Sequence, residues 1–412
     1  MLSSYRKAAR LRVVRLAAAS AITCVAGPAL AASDWIFDPR VELGAVYDDN
    51  YRLTDQPGQE IDVTGAELDA ALGMRMEGTR SKLGITPRVA SSYFPNQSSE
   101  NHTDYYLDAL AERHTQRVIS AFAASFADES VVSSELAAAD FTGIDLGQSA
   151  SGDSGLVTIR NRRRLITANP SLQFDWTERR HLNFDLQYLD ASYDQQIVEQ
   201  VGYKDYAASA GMKWDVSQRH TFSLTLVGDR YSPNTTNPDT NTGGLSLEWR
   251  TSPSQIRTYY VRVGARHSDR NATATQAEIS ATNFNGGIGA AWQLQTTRFV
   301  IDALRSTSPS SSGVVVNRDE LRFRLTRVFQ PRFSGFITVR GIKTHNLDDN
   351  SLDPVRDRKY ATGSTGFEWR TTRQISLHGS YEYRWQEFEN TPTDARSNGV
   401  FLSLVYEPRR LD

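Results

Sequence analysis

Apolar and polar residues alternate one for one along nearly the whole chain, and this period of two constrains the fold more than any other feature. Leu68, Ala70, Leu72, Met74 and Met76 are interleaved with Glu67, Asp69, Gly73, Arg75 and Glu77. The same rhythm runs through Leu182, Phe184, Leu186 and Tyr188, and through Tyr206, Ala208, Ala210, Met212, Trp214 and Val216. It returns in Ile375, Leu377, Gly379, Tyr381, Tyr383 and Trp385. Successive side chains of an extended strand point to opposite faces, whereas a helix returns to one face every three or four residues. Each segment therefore reads as a strand with one apolar and one polar face.

The pattern predicts eighteen strands, starting near residues 40, 65, 82, 103, 116, 163, 181, 204, 220, 243, 256, 281, 298, 319, 333, 360, 374 and 398, with sixteen as the alternative count. Most reach the roughly 9 to 11 residues that a tilted strand needs to cross a bilayer. Short polar turns follow the even strands, among them Gly78-Thr79-Arg80, Ser217-Gln218-Arg219 and Gln330-Pro331-Arg332. Longer connections rich in Asp, Asn, Ser, Gly and Pro follow the odd strands, the longest from about Asp128 to Asn161. Tight turns on the periplasmic side and longer loops outside are what a bacterial outer-membrane barrel has. The expected fold is all-β: a closed antiparallel transmembrane β-barrel of meander topology with both termini in the periplasm. Soluble sandwiches, propellers and β-helices alternate too. A propeller, however, would repeat roughly every 40 to 50 residues, and the spacing here is that of hairpins.

Residues 1–31 read as an export signal. Arg6, Lys7, Arg10, Arg12 and Arg15 precede an apolar run from Leu16 to Val25, and Ala29-Leu30-Ala31 offers a small-residue cleavage site. The mature domain is then 32–412. A lipoprotein reading would use Cys24, but Ala21 and Thr23 stand where a lipobox has Leu and Gly or Ala. Cys24 is the only cysteine, so no disulfide framework holds the mature chain together. Of the 46 basic residues five lie in the leader, which leaves 41 bases against 48 acids and no basic patch suited to nucleic acid. Mean hydropathy is −0.48, and no later stretch approaches the roughly 18 apolar residues of a spanning helix. Barrel strands escape that test because half of their residues face a polar lumen.

Five of the seven tryptophans stand just before a short turn, in Trp176-Thr-Glu-Arg-Arg180, Trp214-Asp-Val-Ser-Gln-Arg219, Trp249-Arg-Thr-Ser-Pro253, Trp292-Gln-Leu-Gln-Thr296 and Trp369-Arg-Thr-Thr-Arg373. Indole rings favour the membrane interface, where the ring is apolar and its N–H meets headgroups. These five are expected to form a periplasmic aromatic girdle.

Two segments carry a family resemblance: Val46-Tyr47-Asp48-Asp49-Asn50-Tyr51-Arg52 near the start, and the final strand Val400-Phe401-Leu402-Ser403-Leu404-Val405-Tyr406. Together with the leader and the strand pattern they resemble the β-barrel porin 2 family, over nearly the whole mature chain. The resemblance implies an outer-membrane barrel associated with exopolysaccharide operons, and carries over no functional residue. One departure is that Glu407 to Asp412 follow Tyr406, where many such barrels end on an aromatic residue.

If the apolar set faces lipid, the alternate set faces the lumen. From the tenth strand onward that set holds Arg250, Arg262, Arg266, Arg322, Arg324, Arg340, Arg370 and Arg384, against Glu248, Asp302, Glu320, Glu368 and Glu382. Strands one to four turn in Glu42, Glu67, Asp69, Glu77, Asp104, Asp108 and Glu112, partly offset by Arg75, Lys82 and Arg88. An arginine wall is thus expected on one side of the lumen and a more acidic wall near the strand closure. Walls of arginine select anions, because a low-dielectric surround focuses their potential into the water path. The same charges also serve to brace the wall, with Arg322–Glu320 and Arg384–Glu382 as available pairs.

His378, Ser380 and Glu382 share a face of strand seventeen and are of the types that nucleophilic catalysis uses. Residues two apart on a strand stand roughly 7 Å apart, too far for direct hydrogen bonding. The chain has no Gly-x-Ser-x-Gly elbow, His-Glu-x-x-His pair or phosphate-binding glycine loop. Asp48 with Asp49, and Asp348, Asp349, Asn350 and Asp353, lack the spacing of a calcium loop. No enzyme activity, cofactor or metal is expected.

The expectation is a porin-like outer-membrane channel for polar, anionic saccharide or polysaccharide solutes, with membrane lipid and export-machinery proteins as partners. The alternative is a non-conducting structural or surface barrel acting through its outer loops, in which Asp128–Asn161 is long enough to fold inward. An outer-membrane hydrolase is the third reading.

Overall fold

The structure, a computed structural model, describes residues 35–136, 138–139, 146–148, 155–197, 200–235, 238–272, 278–347, 357–389, 391 and 393–408, with Ile279 described by its backbone alone. The export leader and the acidic group Asp348, Asp349, Asn350 and Asp353 lie outside these residues.

β1 (Trp35–Asp48), β2 (Val63–Glu77), β3 (Ser81–Tyr93), β4 (His102–His114) and β5 (Val118–Ser130) lead into a short helix, α1 (Val131–Glu135). β6 (Arg162–Thr177), β7 (Arg180–Tyr193), β8 (Tyr203–Asp215), β9 (His220–Pro233), β10 (Thr240–Ser254) and β11 (Arg257–Arg270) follow. β12 (Ile279–Gln293), β13 (Thr297–Pro309), β14 (Val315–Gln330), β15 (Phe333–Asn346), β16 (Arg358–Arg370), β17 (Ile375–Phe388) and β18 (Ala395–Tyr406) complete the set. Every strand pairs antiparallel with the next, and β18 returns to β1 in register from Val41↔Tyr406 to Asp48↔Gly399, closing the sheet. The fold is a closed eighteen-stranded meander barrel.

All eighteen strands begin within five residues of the positions read from the alternation. The largest difference is β1, which starts at Trp35 and runs through Pro39. A proline has no N–H to give to a ladder, so it argues against a strand interior. Here the seam with β18 begins only at Val41, so Pro39 lies where β1 has β2 as its single neighbour and no donor is missed.

Strands of 12 to 16 residues exceed what the hydrocarbon layer requires. Their outward residues are large, apolar and exposed: Leu43, Leu68, Leu186, Leu226, Ile288 and Leu404 are examples, and all belong to the alternating apolar set. A band of this extent cannot face water stably. In lipid it is the favourable surface, and closure leaves no unpaired strand edge. Among the described residues no helix is long and apolar enough to cross a membrane. The buried apolar residues instead form small clusters inside the barrel. One joins Val131 and Leu136 to Val157, Tyr193, Ile342 and Tyr360. The long connection after β5 is therefore folded into the lumen.

Candidate lumen site

α1 opens that connection. Ser130 caps it, its Oγ accepting from Ser133 N at 3.3 Å. Asp104 of β4, 2 % exposed, accepts from Ser130 N and Ser133 Oγ, each at 2.9 Å, and pairs with Arg162 at 3.4 Å. At the end of α1 the buried Glu135 accepts from the Tyr193 hydroxyl and from Ser311 Oγ, with Arg163 3.9 Å away. A carboxylate placed so deep is tolerable only with such partners.

From there the connection meets the arginines one by one. Ala138 O accepts from Arg340 Nη1 at 3.2 Å, and Arg340 Nε holds Glu320 at 2.8 Å. Leu146 O accepts from Arg250 Nη2 at 3.3 Å, and Gly147 O from Arg262 Nη1 at 2.8 Å. Gly147 N donates to Asp302 at 2.9 Å, and the same carboxylate accepts from Tyr260 and Arg322. The returning limb is held by Gln386 on Gly155 O at 3.3 Å, by Gln200 on Leu156 O and by Arg52 on Val157 O at 2.7 Å. In a ring of eighteen strands β14 and β15 stand opposite β5 and β6. The described parts of the segment thus form a strap whose anchor points lie across the lumen from its ends.

Two glycines fit the strap to its anchors. Gly147 has φ +88°, and a Cβ there would sit 3.2 Å from the Tyr260 ring. Gly155 has φ +69°, and a Cβ there would fall inside the Arg358 guanidinium. L side chains rarely adopt such φ values, so glycine is required twice over.

Of the remaining arginines, Arg266 lies 3.5 Å from Asp229, Arg324 sits over the Phe336 ring at 5.5 Å, and Arg370 reaches Glu368 at 3.3 Å. Arg322 is 3.9 Å from Glu320 but turns mainly to Asp302. Arg384 does not take Glu382. It crosses β18 to Asp48, while Glu382 accepts from Thr362 at 2.9 Å. Arg262, Arg322 and Arg340 are thus braced by acids of an adjacent strand, Arg250 and Arg370 by an acid of their own strand, and Arg266 and Arg384 by acids two strands away, while Arg250, Arg262 and Arg340 also grip the strap.

The expected division into an arginine wall and an acidic wall is incomplete. Asp185 of β7, Asp205 of β8 and Asp229 of β9 line a 640 Å³ compartment beside the strap, with Arg262, Arg266 and Gln148 also at its boundary. These carboxylates belong to strands between the two predicted walls, and their inward positions follow from the same alternation. Near the seam Asp69 takes Arg88 at 2.5 Å, and Glu67 accepts from Ser92 at 3.2 Å.

Trp176, Trp249 and Trp369 are exposed at the short-turn end. Trp292 there meets Phe299 at 4.7 Å and Tyr259 at 5.7 Å, and Trp214 lies opposite Phe222 and Arg180 in the ladder. The long-loop end has its own exposed aromatics, Tyr47, Tyr93, Tyr105 and Tyr206, which the tryptophan repeat did not reveal.

The opening segment has a defined place. Asp49 accepts from Asn398 N at 2.6 Å and Asn398 Nδ2 at 2.7 Å, Asn50 Nδ2 donates to Arg396 O at 3.0 Å, and Ser397 Oγ donates to Asp48 at 2.7 Å. Tyr51 packs edge-on against Phe94 at 5.3 Å, and burial pushes its phenol well above the usual range, so it stays neutral. His378 Nε2 lies 3.1 Å from Ser376 Oγ, not from Ser380. Among the described residues no group of three or more His, Cys, Asp or Glu side chains is arranged to hold a metal ion.

No family model and no curated protein sequence matches the chain. Solved structures do. A BenF-like porin from Pseudomonas fluorescens Pf-5 superposes with a TM-score of 0.50 at 8% identity, over 91% of this chain and 99% of that one. The outer membrane protein opdK from Pseudomonas aeruginosa gives 0.48 at 10% identity over 90% and 99%, and the outer membrane channel DcaP of Acinetobacter baumannii gives 0.47 at 12% over 92% and 98%. At such identity the BenF-like porin shares the fold of this chain, a closed antiparallel barrel of the outer-membrane kind.

Proposed function

We propose that residues 1–31 export this chain, that the barrel sits in the outer membrane with its short turns in the periplasm, and that it passes polar, anionic saccharide solutes. The observation that carries this reading is the strap with the charged 640 Å³ compartment beside it. A lumen lined by Asp185, Asp229, Arg262 and Arg266 is built for hydrated solutes. The arginines from β10 to β17 supply the preference for anions. The family resemblance supports saccharide as the class of solute and export-machinery proteins as partners, while Trp176, Trp214, Trp249, Trp292 and Trp369 anchor the periplasmic rim. The test is single-channel recording in planar bilayers on the natural chain and on variants with Arg250, Arg262 and Arg266, the partly exposed arginines of the wall, replaced by alanine. The anion-to-cation permeability ratio should fall in the variants, and an unchanged ratio overturns anion selection.

One observation favours a second reading, a braced barrel that does not conduct. Arg322 and Arg340 are nearly fully buried in ion pairs, so part of the arginine wall serves packing. Absence of conductance in the natural chain, with conductance appearing once Arg340 is removed, would select it.

A further inference from the structure

The outward face carries a feature that passage through the lumen does not use. Toward the long-loop end, one register row across β12 to β17 reads Gly286, Arg305, Asp319, Lys343, Lys359 and Glu387, each opposite the next. The row beneath reads Ile288, Ala303, Leu321, Gly341, Ala361 and Trp385. Small residues at 286, 303 and 341 leave a groove of 690 Å³ between the exposed Phe284, Ile288 and Leu321. A Cβ added at Gly341 would touch nothing within 4 Å. Arg305, Asp319, Lys343 and Lys359 form the groove's upper rim.

Lys343 and Lys359 face each other directly, and like charges at opposed sheet positions repel. Their neighbours relieve this at Lys359 alone. Asp319 is taken by Arg305 at 3.4 Å, Lys359 reaches Glu387 at 3.2 Å, and Lys343 has no ion-pair partner among the described residues. An apolar groove ending at two adjacent ammonium groups, on the lipid-facing side of a barrel, matches an acyl chain with an anionic head.

We propose that this groove is a binding site for a phosphate-bearing membrane lipid, one acyl chain lying against Gly341 and Leu321 and the phosphate bridging Lys343 and Lys359. The proposal rests on the membrane reading of the barrel, and not on what the lumen carries. The full chain, reconstituted in vesicles of mixed phosphatidylcholine and phosphatidic acid, is released for native mass spectrometry and its retained lipids are identified. The natural chain should retain phosphatidic acid over phosphatidylcholine, and K343Q/K359Q should reduce that preference by roughly thirtyfold, the scale of two surface charges acting on an anionic lipid. G341L, which fills the groove with both lysines intact, should also lower retention. R230Q, an equally outward charge on β9, should leave it unchanged. Equal retention of the two lipids by the natural chain overturns the proposal, as does a loss in R230Q matching that in K343Q/K359Q. A chain that never enters the vesicles overturns the membrane reading and this site with it, whereas a chain that enters without preference overturns the site alone.

Discussion

Arg262 and Arg322 are the same residue type on the same face of the barrel, yet their surroundings give them different work. The Arg262 side chain is 33% exposed, shares Glu248 with Arg250, and gives its remaining donor to Gly147 O. Arg322 is 2% exposed, and its removal leaves the buried Asp302 with Tyr260 and Gly147 N as donors but without its cation. Breaking a buried pair costs about 3–5 kcal/mol, while a partly exposed pair contributes about 1 or less. R322A should therefore lower the urea midpoint of the barrel in detergent by the equivalent of about 3–5 kcal/mol. R262A should leave that midpoint almost in place while altering the current-voltage curve, because it removes one hold on the strap at Gly147 and leaves those of Asp302 and Arg250 in place. A large midpoint shift in R262A would contradict this division. The alternation shows that both residues point inward, since a strand places every second side chain on one face. It carries no information on which acid each one meets, because Asp302 lies a strand away and twenty residues earlier.

At the scale of elements, the strap is the part that alternation cannot describe. Its length and composition mark it as a loop with room to fold inward, but its path is set by six strands that are remote in sequence. The φ of Gly155 and its contact with Arg358 make that position intolerant of any side chain. G155V should release the returning limb, which would appear as a new protease-sensitive site near residues 155–157 and as larger, noisier conductance. Cleavage no faster than in the natural chain would show that the limb is held elsewhere. The helix that opens the strap depends on Ser130, and S130A should weaken it by about 0.5–2 kcal/mol, the value of an N-cap. Hydrogen exchange over residues 131–135 would register that change.

For the whole molecule, closure is the decisive step, because a sheet of this size is stable in lipid only without edges. The seam is the one strand pair whose partners lie at opposite ends of the chain. Asp48, Asp49 and Asn50 cover its long-loop end, holding the Arg396–Asn398 stretch through side chains as well as the backbone ladder. The segment from Asp48 to Arg52 is thus a closing clasp, and through Arg52 on Val157 O it also steadies the strap. D49A/N50A should lower the temperature at which the compact form is lost on a gel and slow assembly into vesicles, with channel selectivity unchanged in the molecules that do fold. A change in selectivity at normal heat stability would place these residues in the solute path instead.

Strand number, strand order and the inward or outward sense of each side chain were readable from the sequence, because a period of two is a local property of the extended backbone and each turn joins neighbours. Pro39 shows the limit of that reading: only the short reach of β18 makes a strand possible there. The charge pairs, the course of the strap, the compartment beside Asp205 and Asp229 and the groove below Lys343 and Lys359 were decided by the tertiary structure. Each depends on distances between residues brought together by curvature and register around the ring, and no periodicity along a single strand encodes them.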